Sequence, residues 1–182
     1  VPEGVTAAPA DLVTAGTLTA CIDPEYPPLE YYENGADGEI VGFDADGVRA
    51  LAAYWGVEAK MNVTSFDGLM PGLQSGGCDV IFGGLYISEE RLAIADAAPI
   101  MNAGPEILAA PDKAGELTES LDLCGRTVAA QAASSNALTL TKLNEECATA
   151  GRESVNITEY PKTAETVLAV INGKADALIE TN

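Results

Sequence analysis

Gly42-Phe43-Asp44-Ala45-Asp46-Gly47-Val48-Arg49-Ala50-Leu51-Ala52-Ala53-Tyr54-Trp55, followed at once by Gly56-Val57-Glu58-Ala59-Lys60-Met61-Asn62-Val63, is the stretch that decides the fold. Val48, Leu51, Ala52 and Trp55 recur at helical spacing, so Ala45–Trp55 reads as an amphipathic helix with Asp44 as its N-cap. Val57–Val63 reads as a strand. Upstream, Thr17-Leu18-Thr19-Ala20-Cys21-Ile22-Asp23 is a short apolar run ending in an acid, a buried strand that delivers one side chain to an edge. Tyr26-Pro27-Pro28 breaks it, and Leu29–Tyr32 before Asn34-Gly35 reads as a strand entering a turn. Downstream, Asp67–Gln74 is a short helix and Cys78–Phe82 a third strand with Gly84 beyond its tip. Ser88 caps another short helix carrying Arg91 on its first turns.

Strand and helix therefore alternate, which is the βαβ logic of a parallel sheet with helices on its faces. Met101–Lys113, with Gly104-Pro105 and Pro111-Asp112, reads as a linker. The alternation then restarts, with a strand over Arg126–Gln131, a helix over Asn136–Thr149 and a strand over Val155–Tyr160. A helix over Thr163–Asn172 and a strand over Ala175–Ile179 complete it. The chain divides on this reading into an arm (1–15), a first lobe (16–103), a hinge or crossover (104–113) and a second lobe (114–182). Two α/β units joined by a crossover imply a cleft lined by loops at the carboxyl ends of the strands.

Composition narrows the chemistry. The 182 residues are 47% apolar, and their longest apolar stretches fall well short of a membrane span. Nine basic against 28 acidic residues give a net charge of -19. Such a surface repels phosphate backbones and anionic lipid, so neither nucleic acid nor a membrane surface is the expected partner. Histidine is absent, which removes the usual general base and the usual metal ligand. No metal, no cofactor and no catalysis are expected. Four cysteines, none in a C-x-x-C pair, fit an exported protein with one or two disulfides. Val1-Pro2-Glu3-Gly4 lacks the basic-then-apolar pattern of a secretion signal, so an exported chain would be in processed form.

An ordered set of segments resembles the amino-acid-type extracytoplasmic solute-binding proteins of ABC transporters. They are Asp23-Pro24-Glu25-Tyr26-Pro27-Pro28-Leu29-Glu30, Gly42-Phe43-Asp44-Ala45-Asp46, and Phe66-Asp67-Gly68-Leu69-Met70-Pro71-Gly72-Leu73-Gln74-Ser75-Gly76. Cys78-Asp79-Val80-Ile81, Ile87-Ser88-Glu89-Glu90-Arg91 and Gly173-Lys174-Ala175-Asp176-Ala177 follow in order. The resemblance runs from about Gly16 to Asn182 and implies a two-lobed Venus-flytrap fold of the periplasmic-binding type. Members of that family continue past this point, so an incomplete second lobe is expected, with an unpaired sheet edge. The implied role is capture of an amino acid or similar zwitterion, periplasmic or extracellular, for an ABC permease.

The resemblance also assigns residues. Arg91 matches the carboxylate-binding arginine, whose planar fork grips two oxygens at once; alternatively it is a surface residue paired with Glu89 or Asp96. Asp23 either meets the ligand or caps the Pro-rich turn after it. Gln131 matches a position that contacts the ligand's side chain. Ser134 and Ser135 offer amides and hydroxyls at a helix N-terminus, for an anion, for an ordinary cap, or for both.

Two positions depart from the pattern. Tyr86 stands where Thr or Ser is usual, and Thr181, preceded by Glu180, stands where the family has its amino-binding Asp. Tyr26, Phe66 and Tyr86 match cleft-facing positions, and three aromatic faces suit a quaternary or delocalised cation, as in relatives that take ectoine or betaines. The alternative is that some of these rings are packing residues. Gly84 completes the first-lobe set.

Cys124 and Cys147 flank a strand–helix unit, and a bridge between them is expected, contributing ~3 kcal/mol in the chain-entropy model. Cys21 and Cys78 are expected as free thiols, because level strand tips would stagger them too far for a disulfide. Closure of the second lobe over the first, by bending near Gly104–Pro111, would exclude water and strengthen each polar contact. A dehydratase or lyase on the same fold, with Glu180 or Asp23 as acid or base, is the enzymatic rival. A receptor's sensory domain is the other.

Overall fold

The computed structural model describes residues 7–36 and 38–182, so part of the expected arm, residues 1–6, lies outside the described residues. The chain forms two compact units, Val1–Ala97 and Ala98–Asn182.

In the first unit a parallel sheet is built from β1 (Thr17–Ile22) in the centre, with β5 (Glu58–Val63) on one side and β6 (Val80–Ile81) on the other. β1 is buried from Leu18 to Ile22, as its apolar run requires. A small antiparallel sheet of β2 (Glu25–Tyr26), β3 (Glu30–Tyr32) and β4 (Ile40–Val41) lies between β1 and α1 (Phe43–Trp55) in sequence. Helix α1 buries Ala45, Val48 and Ala52, one face of the 3.6-residue period. Its N-cap is Gly42, not Asp44. At φ 115 a Cβ on Gly42 would stand 2.3 Å from the Leu29 carbonyl oxygen, so only glycine fits. Asp44 falls instead in the first turn and is fully buried. A 3-10 turn at Phe66–Gly68, then α2 (Leu69–Gln74) and α3 (Glu89–Leu92), complete the unit.

The second unit is a four-stranded sheet in the order β7-β10-β8-β9. β8 (Thr127–Gln131), β9 (Asn156–Tyr160) and β10 (Ala177–Thr181) run parallel, with α4 (Ser135–Thr149) and α5 (Thr163–Ile171) between them in sequence. β10 begins two residues later than the sequence suggests. β7 (Pro105–Ala109) is a correction: the stretch read as a linker pairs antiparallel with β10, Ile107 opposite Ile179. Its proline misled because it occupies the first residue of the strand, where a missing N–H is tolerated. Ile107 and Ala109 pack against a core of Leu123, Val128, Leu140, Leu143 and Ile179.

The same device sets strand register in both units. Asp79, just before β6, donates its N–H to the Thr19 carbonyl (2.8 Å) and accepts the Thr19 N–H on its carboxylate (2.7 Å). Asp176, just before β10, does the same with Thr127, at 2.7 and 2.9 Å. Each Asp thus clasps one residue of the neighbouring parallel strand, and the next residues, Val80 and Ala177, fall opposite Ala20 and Val128. Asp176 also pairs with Lys113, which with the Thr127 N–H holds its pKa below the ordinary value.

Cys124 and Cys147 form the expected disulfide, with Cα atoms 5.7 Å apart. Cys21 and Cys78 are also bonded, Cα to Cα 5.6 Å, against the expectation of free thiols. Level strand tips would separate the two sulfurs only if Cys78 lay in line on its strand. The strand begins only at Val80; Cys78 precedes it, in a buried cluster with Cys21 and Leu69. Gly72 of α2 lies against the same Cys21 sulfur, where a Cβ would come within 3.0 Å.

Candidate functional site

In the first unit the candidate residues follow the carboxyl ends of β1, β5 and β6, where open parallel sheets present their ligand loops. Ser88 caps α3 by accepting the Arg91 N–H on its hydroxyl at 3.3 Å. The Arg91 guanidinium donates through Nη1 to the Tyr86 carbonyl oxygen at 2.8 Å. Among the described residues, none of the ion pairs involves Arg91, so neither Glu89 nor Asp96 holds it. It is half-buried, and that burial lowers its pKa, with the charge of Glu90 opposing. A desolvated cation with most of its fork uncommitted suits an incoming carboxylate.

Gly84 sits at φ 59, and a side chain there would meet the Tyr26 ring at 3.3 Å. The Tyr26 ring therefore occupies the space a Gly84 side chain would need, and the Tyr86 carbonyl is bonded to Arg91. Phe66 is half-buried and packs against the Cys21–Cys78–Leu69 cluster, so it carries a packing role. The Asp23 carbonyl accepts from the Glu25 N–H at 2.7 Å.

Two acids behind this face were not singled out in the sequence as site residues. Glu30 is 1% exposed and Asp44 0% exposed. Burial, then the charges of Asp44 and Asp23, push the Glu30 carboxyl up to about 9, with the Asp23 backbone N–H bonded to it in opposition. Burial pushes Asp44 to about 6, opposed by the Gly84 backbone N–H. Glu30 Oε2 and both Asp44 oxygens lack a well-aligned hydrogen-bond partner. Each motif carries more than one acid, Asp23, Glu25 and Glu30 in one and Asp44 and Asp46 in the other, so local sequence did not mark which of them is buried.

In the second unit, Ser134 caps α4, its hydroxyl accepting the Ala137 N–H at 3.1 Å. Ser135 is the first helical residue and half-buried. Ala133, immediately before the cap, has φ 61, a left-handed conformation costly for a residue with a Cβ. Gln131, 9% exposed, donates through Nε2 to the Pro161 carbonyl at 3.3 Å. Thr163 joins two candidates: its hydroxyl lies 3.5 Å from Gln131 Oε1 and 3.4 Å from Glu180 Oε2, and donates to one at a time. Glu180 Oε1 accepts the Thr181 N–H at 2.9 Å. Gln131, Thr163, Glu180 and Thr181 thus form one polar group. Thr163 was missed because it opens a helix and reads as a cap residue. No described helix is long and apolar enough to cross a membrane.

Residues 18–181 match the family described as bacterial extracellular solute-binding proteins, family 3. The chain is 31% identical over 179 residues to an arginine-binding protein of Corynebacterium glutamicum, covering 98% of this chain and 58% of that protein. It is 32% identical over 114 residues to an L-cystine-binding protein of Escherichia coli (strain K12), covering 62% and 42%. Among solved structures, the arginine-bound form of truncated ArgBP from T. maritima superposes with TM-score 0.81 at 30% identity, covering 92% of this chain and 74% of that one. An ancestral amino acid-binding protein, a precursor of cyclohexadienyl dehydratase, gives TM-score 0.81 at 30% identity, covering 91% and 70%. The chain therefore spans less than two thirds of the length of these two curated relatives.

Proposed function

The chain belongs to the bacterial extracellular solute-binding proteins of family 3, and on that premise we propose that it captures a small carboxylate-bearing zwitterion, an amino acid first among the candidates, for delivery to an ABC permease. The observation that carries this is Arg91, half-buried, held at one corner by Tyr86 and unpaired with any described acid. In this reading Arg91 takes the ligand carboxylate, and Asp23, Tyr26, Phe66, Gly84 and Tyr86 line the first unit's half of the site. Gln131, Ser134, Ser135, Glu180 and Thr181 supply the second unit's half. Bending between the units would fall near Ala97–Ala98, where they divide, and not in β7, which belongs to the second unit's sheet. The arginine bound by similar proteins, the net charge of -19 and the acids Asp23 and Glu180 favour a ligand with a cationic end. Two disulfides suit an oxidising compartment outside the cytoplasm.

A thermal-shift screen tests it, comparing L-arginine, L-cystine and the remaining proteinogenic amino acids with ectoine and glycine betaine. A ligand at 100 times its Kd stabilises by ~2.7 kcal/mol, a shift of several degrees. A response to amino acids, lost in Arg91→Ala, supports the reading. A response confined to ectoine or betaines assigns the cation to the aromatic rings, and Tyr86→Thr should then abolish it. Silence across both sets sinks the proposal. The dehydratase reading is favoured only by the ancestral neighbour, and a product recovered after incubation with a cyclohexadienyl substrate would establish it.

A further inference from the structure

The carboxyls of Glu30 and Asp44 are fully buried on two different elements, β3 and α1, which meet where the Asp44 N–H donates to the Leu29 carbonyl at 2.8 Å; each carboxyl faces a different ligand loop. The Asp23 backbone N–H, at the end of β1, points to Glu30. The Gly84 backbone N–H, beyond β6, points to Asp44. Gly83 closes over Glu30: it is itself buried, and a side chain there would come within 3.3 Å of Oε1.

Three of the four carboxyl oxygens lack a proper hydrogen-bond partner. The charged groups that act on Glu30 are Asp44 from α1 and Asp23 after β1, both acidic, while the segment after β6 offers only backbone. Among the described residues, none of the ion pairs involves either carboxyl. Two ionised carboxylates cannot both stay buried under those conditions. One proton removes a charge and turns one oxygen into a donor.

We propose that Glu30 and Asp44 hold one proton between them across neutral pH and thereby position Asp23 and the Gly83–Gly84 turn at the ligand face. Both act as positioning residues, since neither is exposed to a ligand. That this face is the ligand face rests on the function proposed above; the pairing does not.

The test is carbon-detected NMR of the whole chain across pH 5 to 10. The Glu30 carboxyl carbon should titrate far above the ordinary glutamate range, and the backbone carbonyl carbons of Asp23, Gly83 and Gly84 should move in the same step. In Glu30→Gln that backbone step should vanish. In Asp44→Asn, which removes the like charge, the Glu30 midpoint should fall. An ordinary Glu30 midpoint, a backbone step that persists in Glu30→Gln, or a midpoint unmoved in Asp44→Asn would each overturn the pairing. L-arginine binding at pH 6 and 9 is measured alongside. Binding with ordinary carboxyl midpoints refutes the pair and leaves the site standing. Shifted midpoints with no amino acid bound uphold the pair and refute the site.

Discussion

The Arg91 guanidinium is bonded to the carbonyl oxygen of Tyr86, five residues earlier in the chain, at 2.8 Å. One N–H of the fork is spent on fixing its direction, and Ser88 fixes the turn of helix that carries it. A side chain tied at one corner loses little further entropy when a ligand engages the rest.

Arg91→Ala should therefore weaken binding of the ligand found in the screen by about 30-fold or more, the range for removing one partner of a buried charge pair. Arg91→Lys should recover only part of it, because an ammonium cannot keep the Tyr86 bond and present a fork as well. Isothermal titration of both variants checks this, and a Lys variant equal to wild type would refute the fork.

Gly84→Ala forces a Cβ into a left-handed position against the Tyr26 ring. It should cost about 1–2 kcal/mol of stability and weaken binding further, because Tyr26 must move. Denaturant unfolding and ligand titration on one preparation separate the two effects.

Loss of the Cys21–Cys78 bridge, with 57 residues of separation, should cost about 4 kcal/mol in the chain-entropy model. Loss of Cys124–Cys147, with 23, should cost about 3 kcal/mol. Paired Cys→Ser variants measured by urea unfolding give the ranking. The reverse ranking would show that loop length does not decide, since the Cys21–Cys78 pair is at least as buried as the Cys124–Cys147 pair.

The pH dependence has a definite sign. Glu30 and Asp44 have folded pKa values above their unfolded ones, so each contribution is complete below the unfolded value and is lost as pH rises to about 9 and about 6. Asp176 is depressed, so its contribution is lost as pH falls below the ordinary carboxylate range. Stability should peak nearer pH 5 than pH 8. Above pH 6 it should decline by at most ~1.4 kcal/mol per pH unit from Glu30, and Glu30→Gln should flatten that limb. Calorimetry across pH 4–9 tests it.

Asp176→Ala should lower the stability of the second unit by about 2–3 kcal/mol, since a charged acceptor of a backbone bond is lost. Asp79→Ala should do the same in the first. Hydrogen exchange at the Thr127 and Thr19 amides locates each effect, and unchanged protection there would show that the clasp does not hold the register.

The sequence alone determined the alternation of strand and helix and the two units, because periodicity is a local property. Ser88 and Ser134 were legible as caps for the same reason: each bonds three residues ahead. Only the tertiary structure decided which distant residues meet. Cys78 reaches Cys21 because its strand starts two residues later than its apolar run suggests. β7 became a strand because β10 offered it an edge to pair with. Asp44 became a buried acid because Gly42, alone able to lie against the Leu29 carbonyl, took the cap. Glu30 acquired its proton-holding environment from Asp44, 14 positions away, and from the Gly83 backbone. Such contacts depend on how elements pack across the fold, and no window of sequence contains them.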